Sequence, residues 1–600
     1  MPGTPNRLPH FWQELKRRHV FRSLAIYAGS AFIILEAADL IFPRWGLPDW
    51  SVDLVLYLLI LGAFITIIVS WIYDITPQGV EKTRPIHEIQ KGQEKTTGLA
   101  WKAATYVSLL IIAGLIIFNI EGGFRNLRAG TIESLVVLPF DNFTGDQELE
   151  YYVSGMHSSL IGDMGKISGL RVISKTSSNA YKTVELPVPE IAFELKVDAV
   201  LEGNVTCLGD SICVQFKLIS AFPEEQMVWS KTYFAERNNI LNLYNWVIKD
   251  IADEIQLPLS TEQQDELTKP RIIDPDAYEN YLKGKFHMGF LTEDSQHTAM
   301  EYFNRALATE PDYAEVFAGL AGVWGFLKQM DYVSPSEADP EIRMYMAKAM
   351  DLNIRNAEIY YYDGIIKIWT DFNWSAGEAS LKKCLEINPN FSEARAYYSH
   401  LMMLLKRPGE MREQMQLALN TDPKNPLIQV LAQVELMIES KYVSCIARTL
   451  QLQKLMPNNP LIMLILFQCF TETGDYDSAI NELSKVFRQL ADEKLIKTLN
   501  EVYKQQGYKE ALIAAVDEWI DRFDFVSAQH ATMLYAYGGD TEKTLFWLER
   551  AFIRKDPSNP YLGVVPSLRP YHDEPRYIEI MQQMDLPLGE FANGGTTNQN

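Results

Sequence analysis

The sequence predicts a multi-domain chain: a three-transmembrane-helix N-terminal anchor, then an α/β domain, then an all-α solenoid. Three observations carry this reading. Three long apolar runs crowd the first 120 of the 600 residues. Strand-like and helix-like patterns interleave over 131–260, and a 34-residue period governs 274–553.

The runs Leu24–Phe42, Leu54–Tyr73 and Ala103–Ile120 hold 19, 20 and 18 positions. A helix crosses the hydrocarbon core in about 20 residues, so each is expected to span. The basic 1–23 segment carries Arg7, Lys16, Arg17, Arg18 and Arg22, and the 74–102 loop carries Lys82, Arg84, Lys91, Lys95 and Lys102. Between the first two runs only Arg44 occurs. Positive residues stay on the cytoplasmic side, which predicts a cytoplasmic N-terminus and places everything after 120 outside. Trp45, Trp50, Trp71 and Trp101 fall at the expected interfaces. No cleavable signal peptide is expected, because the first run lacks a small-residue cleavage site. Glu36 and Asp39, three residues apart, share a helix face near its outer end and are read as snorkelling or staying protonated rather than as a transport path.

Net charge is −22 for the whole chain, but residues 1–130 hold 13 basic and 10 acidic side chains. The rest therefore carries about −25. So acidic a body is expected not to bind nucleic acid, which requires phosphate neutralisation.

Over 131–260, a buried-strand run at Ser134–Leu138 is followed by a helix over Glu150–Ile167 and a strand at Leu170–Ser174. Pro187–Leu195 reads as a helix and Ala199–Glu202 as a strand. A hairpin over Asn204–Leu218 turns at Gly209–Asp210. A strand at Val228–Phe234 and a helix at Leu241–Ile255 complete an α/β domain. The stretches 134–146 (SLVVLPFDNFTGD), 168–174 (SGLRVIS) and 197–203 (VDAVLEG) resemble the TolB-like amino-terminal domain of bacterial envelope and signalling proteins. Phe11–Phe21, Ala38–Pro43 and Thr76–Gly79 are similar to the membrane segment that precedes such domains in bacterial tetratricopeptide proteins. Some relatives add a nucleotide cyclase or a winged-helix domain, for which 1–23 and 74–102 leave no room. The resemblance implies a bacterial inner-membrane protein with residues after 120 in the periplasm. It names an architecture and no activity.

From 274 the chain reads as helices in pairs. Pro389, Pro423 and Pro457 lie 34 residues apart at helix boundaries, a period resembling the tetratricopeptide unit. Ala299, Phe303, Ala306 and Pro311 spell its small–aromatic–small–proline register. The first small position recurs at Gly377, Met411, Cys445, Ala479, Ala511 and Thr544, with spacings of 34, 34, 34, 32 and 33. Met411 and Thr544 break the small-residue rule. Gly474–Ala479 matches the family's turn into a second helix. About ten extra residues interrupt the second repeat near Gln329–Pro340. About eight helix pairs are expected over 274–553, then a C-terminal cap over 554–588 and a structureless tail over 589–600.

Such an array offers a concave groove for a peptide or a partner helix. Tyr360, Tyr361, Tyr362, Tyr397 and Tyr398 are the candidate groove residues, since adjacent helical positions point about 100° apart and cannot all be buried. The sequence contains no HExxH, GxxxxGK[ST] or GxGxxG pattern. Gly209–Ile212 sits in a hairpin turn, not at a nucleophile elbow. His157 is read as a lone surface histidine, and His572–Glu574 lacks a second ligand group at metal spacing. No catalytic residue, cofactor, metal or small-molecule ligand is expected, so the chain is read as not an enzyme. Cys384, Cys445 and Cys469 are read as core thiols. Cys207 and Cys213 flank the hairpin turn symmetrically and form a candidate cross-strand disulfide, which an extracytoplasmic compartment permits. The expectation is a membrane-anchored scaffold of the bacterial envelope that binds proteins in the periplasm. The alternative is a receptor-like protein relaying an external signal to a cytoplasmic effector.

Overall fold

The structure is a computed structural model that describes residues 132–591 apart from short breaks. Before that it describes two short strands and scattered helical positions between 27 and 63. The chain divides into two units, 1–128 and 129–600.

In the first unit, β1 (Tyr73–Thr76) and β2 (Gly79–Lys82) form an antiparallel hairpin. The three-span anchor is corrected here. Among the described residues no helix is long and apolar enough to cross a membrane, and the last residue of the second run begins a strand instead. The greater part of all three runs, with Glu36 and Asp39, lies outside the described residues.

In the second unit a six-stranded sheet has the order β5-β3-β6-β7-β8, with β4 (Asp141–Asn142) beside β6. The central β3 (Ser134–Val137) runs parallel to β5 (Arg171–Val172) and β6 (Ala199–Leu208). The strands β6, β7 (Ser211–Ser220) and β8 (Gln226–Glu236) form an antiparallel meander. The four residues of β3 are all buried, as expected of a parallel strand covered on both faces. Leu135 and Val137 face helices α1 (Glu150–Met164) and α4 (Ile240–Glu254), whereas Val136 faces the layer containing α3 (Val188–Leu195). That split follows from the two-residue period of a strand. The predicted strand at Ala199–Glu202 and the first hairpin arm are one continuous strand. The sequence reading missed the short α2 (Lys175–Asn179) and α5 (Thr261–Thr268). The turn at Gly209–Asp210 lies outside the described residues.

Sixteen further helices pair consecutively among the described residues. The pairs are α6 (Pro275–Met288) with α7 (Glu293–Thr309), α8 (Ala314–Gln329) with α9 (Pro335–Leu352), and α10 (Ala357–Trp369) with α11 (Trp374–Ile387). They continue as α12 (Ser392–Leu404) with α13 (Pro408–Thr421), α14 (Pro426–Ile438) with α15 (Tyr442–Leu455), and α16 (Pro460–Thr473) with α17 (Tyr476–Gln489). The last two are α18 (Glu493–Gln506) with α19 (Tyr508–Arg522) and α20 (Ala528–Gly538) with α21 (Thr541–Arg554). Two 3-10 turns, Asn559–Gly563 and Pro566–Tyr571, and α22 (Pro575–Gln583) follow.

The repeat register has a packing cause. Ala299, Met411, Cys445, Ala479, Ala511 and Thr544 are all fully buried, and Gly377 is buried. A Cβ on Gly377 would meet Ile368 at 2.3 Å and the Gly364 carbonyl at 3.3 Å, so α10 and α11 touch backbone to backbone there. Phe303 fills the space that two glycines leave, lying 2.5 Å from a Cβ on Gly284 and 2.8 Å from one on Gly319. Ala306 is fully buried beside it. Pro311, Pro389, Pro423 and Pro457 each stand two residues past a second helix, where a missing N–H costs nothing. Gly474 takes φ +79° and ends α16, and Asp475 then caps α17 through Ser478 N. The insertion is shared: Ala338 is fully buried on α9, 39 residues from both Ala299 and Gly377.

Candidate protein-binding surface

From α6 to α16 the first helices of successive pairs pack on one another, whereas second helices hardly meet. The first-helix side is therefore the inner side of the curve. Two parts of the same chain already cover parts of the array.

The α/β region covers the ends of the middle repeats. Ser177 of α2 donates to Asp422 Oδ1 at 2.6 Å and accepts from Lys424 N at 2.8 Å. Ser174 N donates to Thr421 O at 3.0 Å, and Arg171 donates to Asn420 O at 2.8 Å. Asn390 bridges the other way, donating to Gly165 O and Leu170 O and accepting from Val172 N. Lys424 pairs with Glu194 at 2.7 Å. Asp422 is fully buried, and the hydroxyls of Ser177 and Ser392 with the Asn425 amide satisfy it.

Residues 559–586 cover another part. The Tyr561 hydroxyl lies 2.8 Å from His400 Nδ1 on α12, and His400 Nε2 lies 3.1 Å from the Leu431 carbonyl. A carbonyl only accepts, so Nε2 carries the proton and Nδ1 accepts from the tyrosine. Burial holds His400 at about 4 and hence neutral. Arg569 donates to the Tyr442 hydroxyl at 2.9 Å and to Ile438 O at 3.0 Å. Trp374 Nε1 donates to Met584 O at 2.7 Å, and the Tyr571 hydroxyl to Ala536 O at 3.3 Å.

The candidate tyrosines separate into two groups. Tyr361 and Tyr397 form one aromatic cluster with Phe391, Trp369 and Tyr362, with ring centroids 5.0–6.1 Å apart. Burial raises their hydroxyl pKa values, that of Tyr397 to about 12. Tyr398 is buried beneath Lys382 and donates to Glu378 at 3.1 Å. Tyr360 packs against the core of the middle repeats. None of the five is an exposed side chain.

Charged groups share the recess. Lys285 of α6 pairs with Glu358 of α10. Burial, then the Asp422 carboxylate, raises the Glu393 pKa. Glu435 on α14 is pushed up to about 8, mainly by burial. Ser399 lies between Glu435 and the Met411 carbonyl. A protonated carboxyl donating to the hydroxyl, which donates onward at 2.5 Å, satisfies all three groups. Sequence reasoning missed His400, Glu435 and Tyr561, because their roles depend on which distant segment covers them.

His157 is corrected from a surface to a buried residue. It is 1% exposed, its Nε2 donates to Val137 O at 2.9 Å, and burial lowers it to about 4. Cys207 and Cys213 face each other across β6 and β7 and are joined as a disulfide. Cys384, Cys445 and Cys469 are free and buried. Among the described residues no cluster of metal-ligating side chains occurs.

No family model matches the chain. A curated relative, "Putative adenylate cyclase 3" of Rhizobium meliloti (strain 1021), is 28% identical over 204 residues, 34% of this chain. The match spans about a third of that relative, 35% of its length. A cyclase by name among the relatives overturns the reading of the chain as not an enzyme. Among solved structures, Pseudomonas aeruginosa pilF is 18% identical over 38% of this chain and 98% of its own, with a TM-score of 0.28. Yeast Tom70 is 13% identical over 57% and 84%, with a TM-score of 0.31. A tetratricopeptide repeat protein from Parabacteroides merdae ATCC 43184 is 11% identical over 51% and 99%, at 0.27. Likenesses so slight carry no weight alone. The paired helices and their buried 34-residue register make the array of the tetratricopeptide type.

Proposed function

We propose that this chain is a protein-interaction scaffold whose helix-pair array takes a polypeptide segment on its inner face. One observation carries the reading: the first helices α12 and α14, with the opening residues of the second helices α11 and α15, already hold residues 559–586 through side chain to side chain and side chain to backbone contacts. A surface that grips one irregular segment through its carbonyls, a histidine and a tyrosine has the chemistry to grip another. A photoreactive phenylalanine at Tyr362 or Tyr397 is expected to cross-link a protein partner in cells. The same group at Val443, 78% exposed on a second helix, is the control. Equal cross-linking from both faces, or none from the inner one, defeats the reading.

The periplasmic placement of residues after 120 is part of this proposal. Its support is the Cys207–Cys213 bond, a linkage that persists in oxidising compartments. Finding both thiols alkylated in freshly lysed cells without reductant counts against it. A second reading, nucleotide cyclisation, comes from the relative named as a putative adenylate cyclase. Conversion of ATP to cyclic AMP by the purified protein is its test.

A further inference from the structure

Within residues 559–586, α22 packs on α21, the last helix of the array, while the two 3-10 turns run back over the stack. The first 3-10 turn meets α10 and α12, and the second meets α16 and α20. Met584 then reaches Trp374 at the start of α11. Leu562, Val564 and Leu568 are at most 3% exposed and join the core of the middle repeats. The segment lies where a partner would lie.

Its polar fit is incomplete. His400, Val434 and Gln468 stand at 34-residue intervals on three successive first helices, so Gln468 occupies the register position whose histidine meets Tyr561. Gln468 is 8% exposed and its Oε1 has no hydrogen-bond partner. Asn559, the first residue of the segment, is fully buried and its Oδ1 is likewise unmatched. Each orphaned buried acceptor loses its water without gaining a partner, which is destabilising. An occupant that offered an N–H to Gln468 would remove one such cost.

We propose, on the basis of the function argued above, that residues 559–586 are a replaceable occupant of the inner face, and that a partner binds by displacing them. The partner segment carries the same recognition chemistry. It has a tyrosine for His400, a guanidinium about eight residues later for Tyr442 and Ile438 O, and an N–H donor within reach of Gln468. Tyr442 also lies 3.2 Å from Glu472, whose other oxygen accepts from Tyr537 at 3.1 Å. A carboxylate thus stands behind the arginine site and favours a basic group there.

The test uses a fluorescent peptide of residues 557–588 as the probe and the full chain as its receptor. In wild type the tethered segment competes at roughly millimolar effective concentration, so the free peptide binds weakly. In Tyr561→Ala/Arg569→Ala the tethered copy is weakened, and the peptide is expected to bind at least ~10-fold tighter. Adding His400→Ala is expected to remove that gain. Failure of a folded double variant, judged by helical circular dichroism, to bind the peptide overturns the proposal. Should the double variant unfold, a chain with a protease site replacing residues 555–558 and all other residues unchanged takes its place. After cleavage, excess peptide chases the cut segment from the native body if the proposal holds. Release only on denaturation overturns it. Exchange without any cross-linked protein partner defeats the proposed function alone, and a partner bound beside an undisplaced segment defeats this inference alone.

Discussion

The sheet is held by strands that meet from far along the chain, since Ser134 pairs with Arg171 and Leu135 with Ala199. In the array each helix packs on the next. The sheet region thus depends on every strand arriving, whereas a repeat depends mainly on its neighbours. The two regions nevertheless share material. One apolar core runs from Leu135 and Val137 through Tyr244 and Tyr278 to Phe303 and Leu327. Gly155 marks the contact, because a Cβ there would meet Leu282 at 2.7 Å. The difference teaches that the first pair and α8 belong energetically with the sheet, and that separate cores begin with α9.

The largest expected effect breaks or upholds that division. Phe303→Ala empties a fully buried site and is expected to cost about 3–5 kcal/mol. Leu499→Ala, equally buried but in the separate core of the late repeats, is expected to cost about 2–5 kcal/mol. Hydrogen exchange monitored by mass spectrometry distinguishes them. Phe303→Ala speeds exchange in β3 and β6 together with α6 to α8, and Leu499→Ala leaves the sheet unchanged. If β3 is untouched by Phe303→Ala, the two regions do not share a core.

A smaller effect concerns the sheet alone. Replacing Cys207 and Cys213 by serine opens a clasp between β6 and β7. The loss is expected to be about 2 kcal/mol for so short a loop, seen as a lower urea midpoint confined to the α/β region. A third effect is specific to the array and depends on pH. Glu435 holds its proton up to about 8 when folded, whereas the unfolded chain releases it near the ordinary carboxyl value. Unfolding between those two values releases a proton, so stability falls as pH rises through that window. Glu435→Gln keeps the neutral shape. Its Tm is expected to match wild type near pH 4 and to exceed it by a few degrees at pH 8. A constant difference at both pH values removes the buried proton from the account.

Legibility in the sequence followed the range of the interactions. The array was readable because a local rule repeats: the register from Ala299 to Thr544 encodes one helix fitting its partner. Strand β3 was readable as a continuous apolar run and β7 from the alternation of a hairpin arm, while β8 and the helix α3 were placed close to their observed bounds. The short α2 was not, because its five residues make a turn whose role is to bring Ser177 to Asp422, 245 residues away. The candidate tyrosines stand on α10 and α12, but nothing local in them announces Tyr561 or Arg569. His157 was misjudged for the same reason, since its burial depends on Val137 and Phe140 of the sheet.

The return of residues 559–586 across the array has a consequence for biosynthesis. A chain emerging from the ribosome completes α10 to α16 well before the residues that cover Trp374, His400 and Ile438 exist. During that interval the middle repeats present bare aromatic and carbonyl groups, a surface that a chaperone can hold. Nascent chains halted before Asn559 would be captured, and finished ones released.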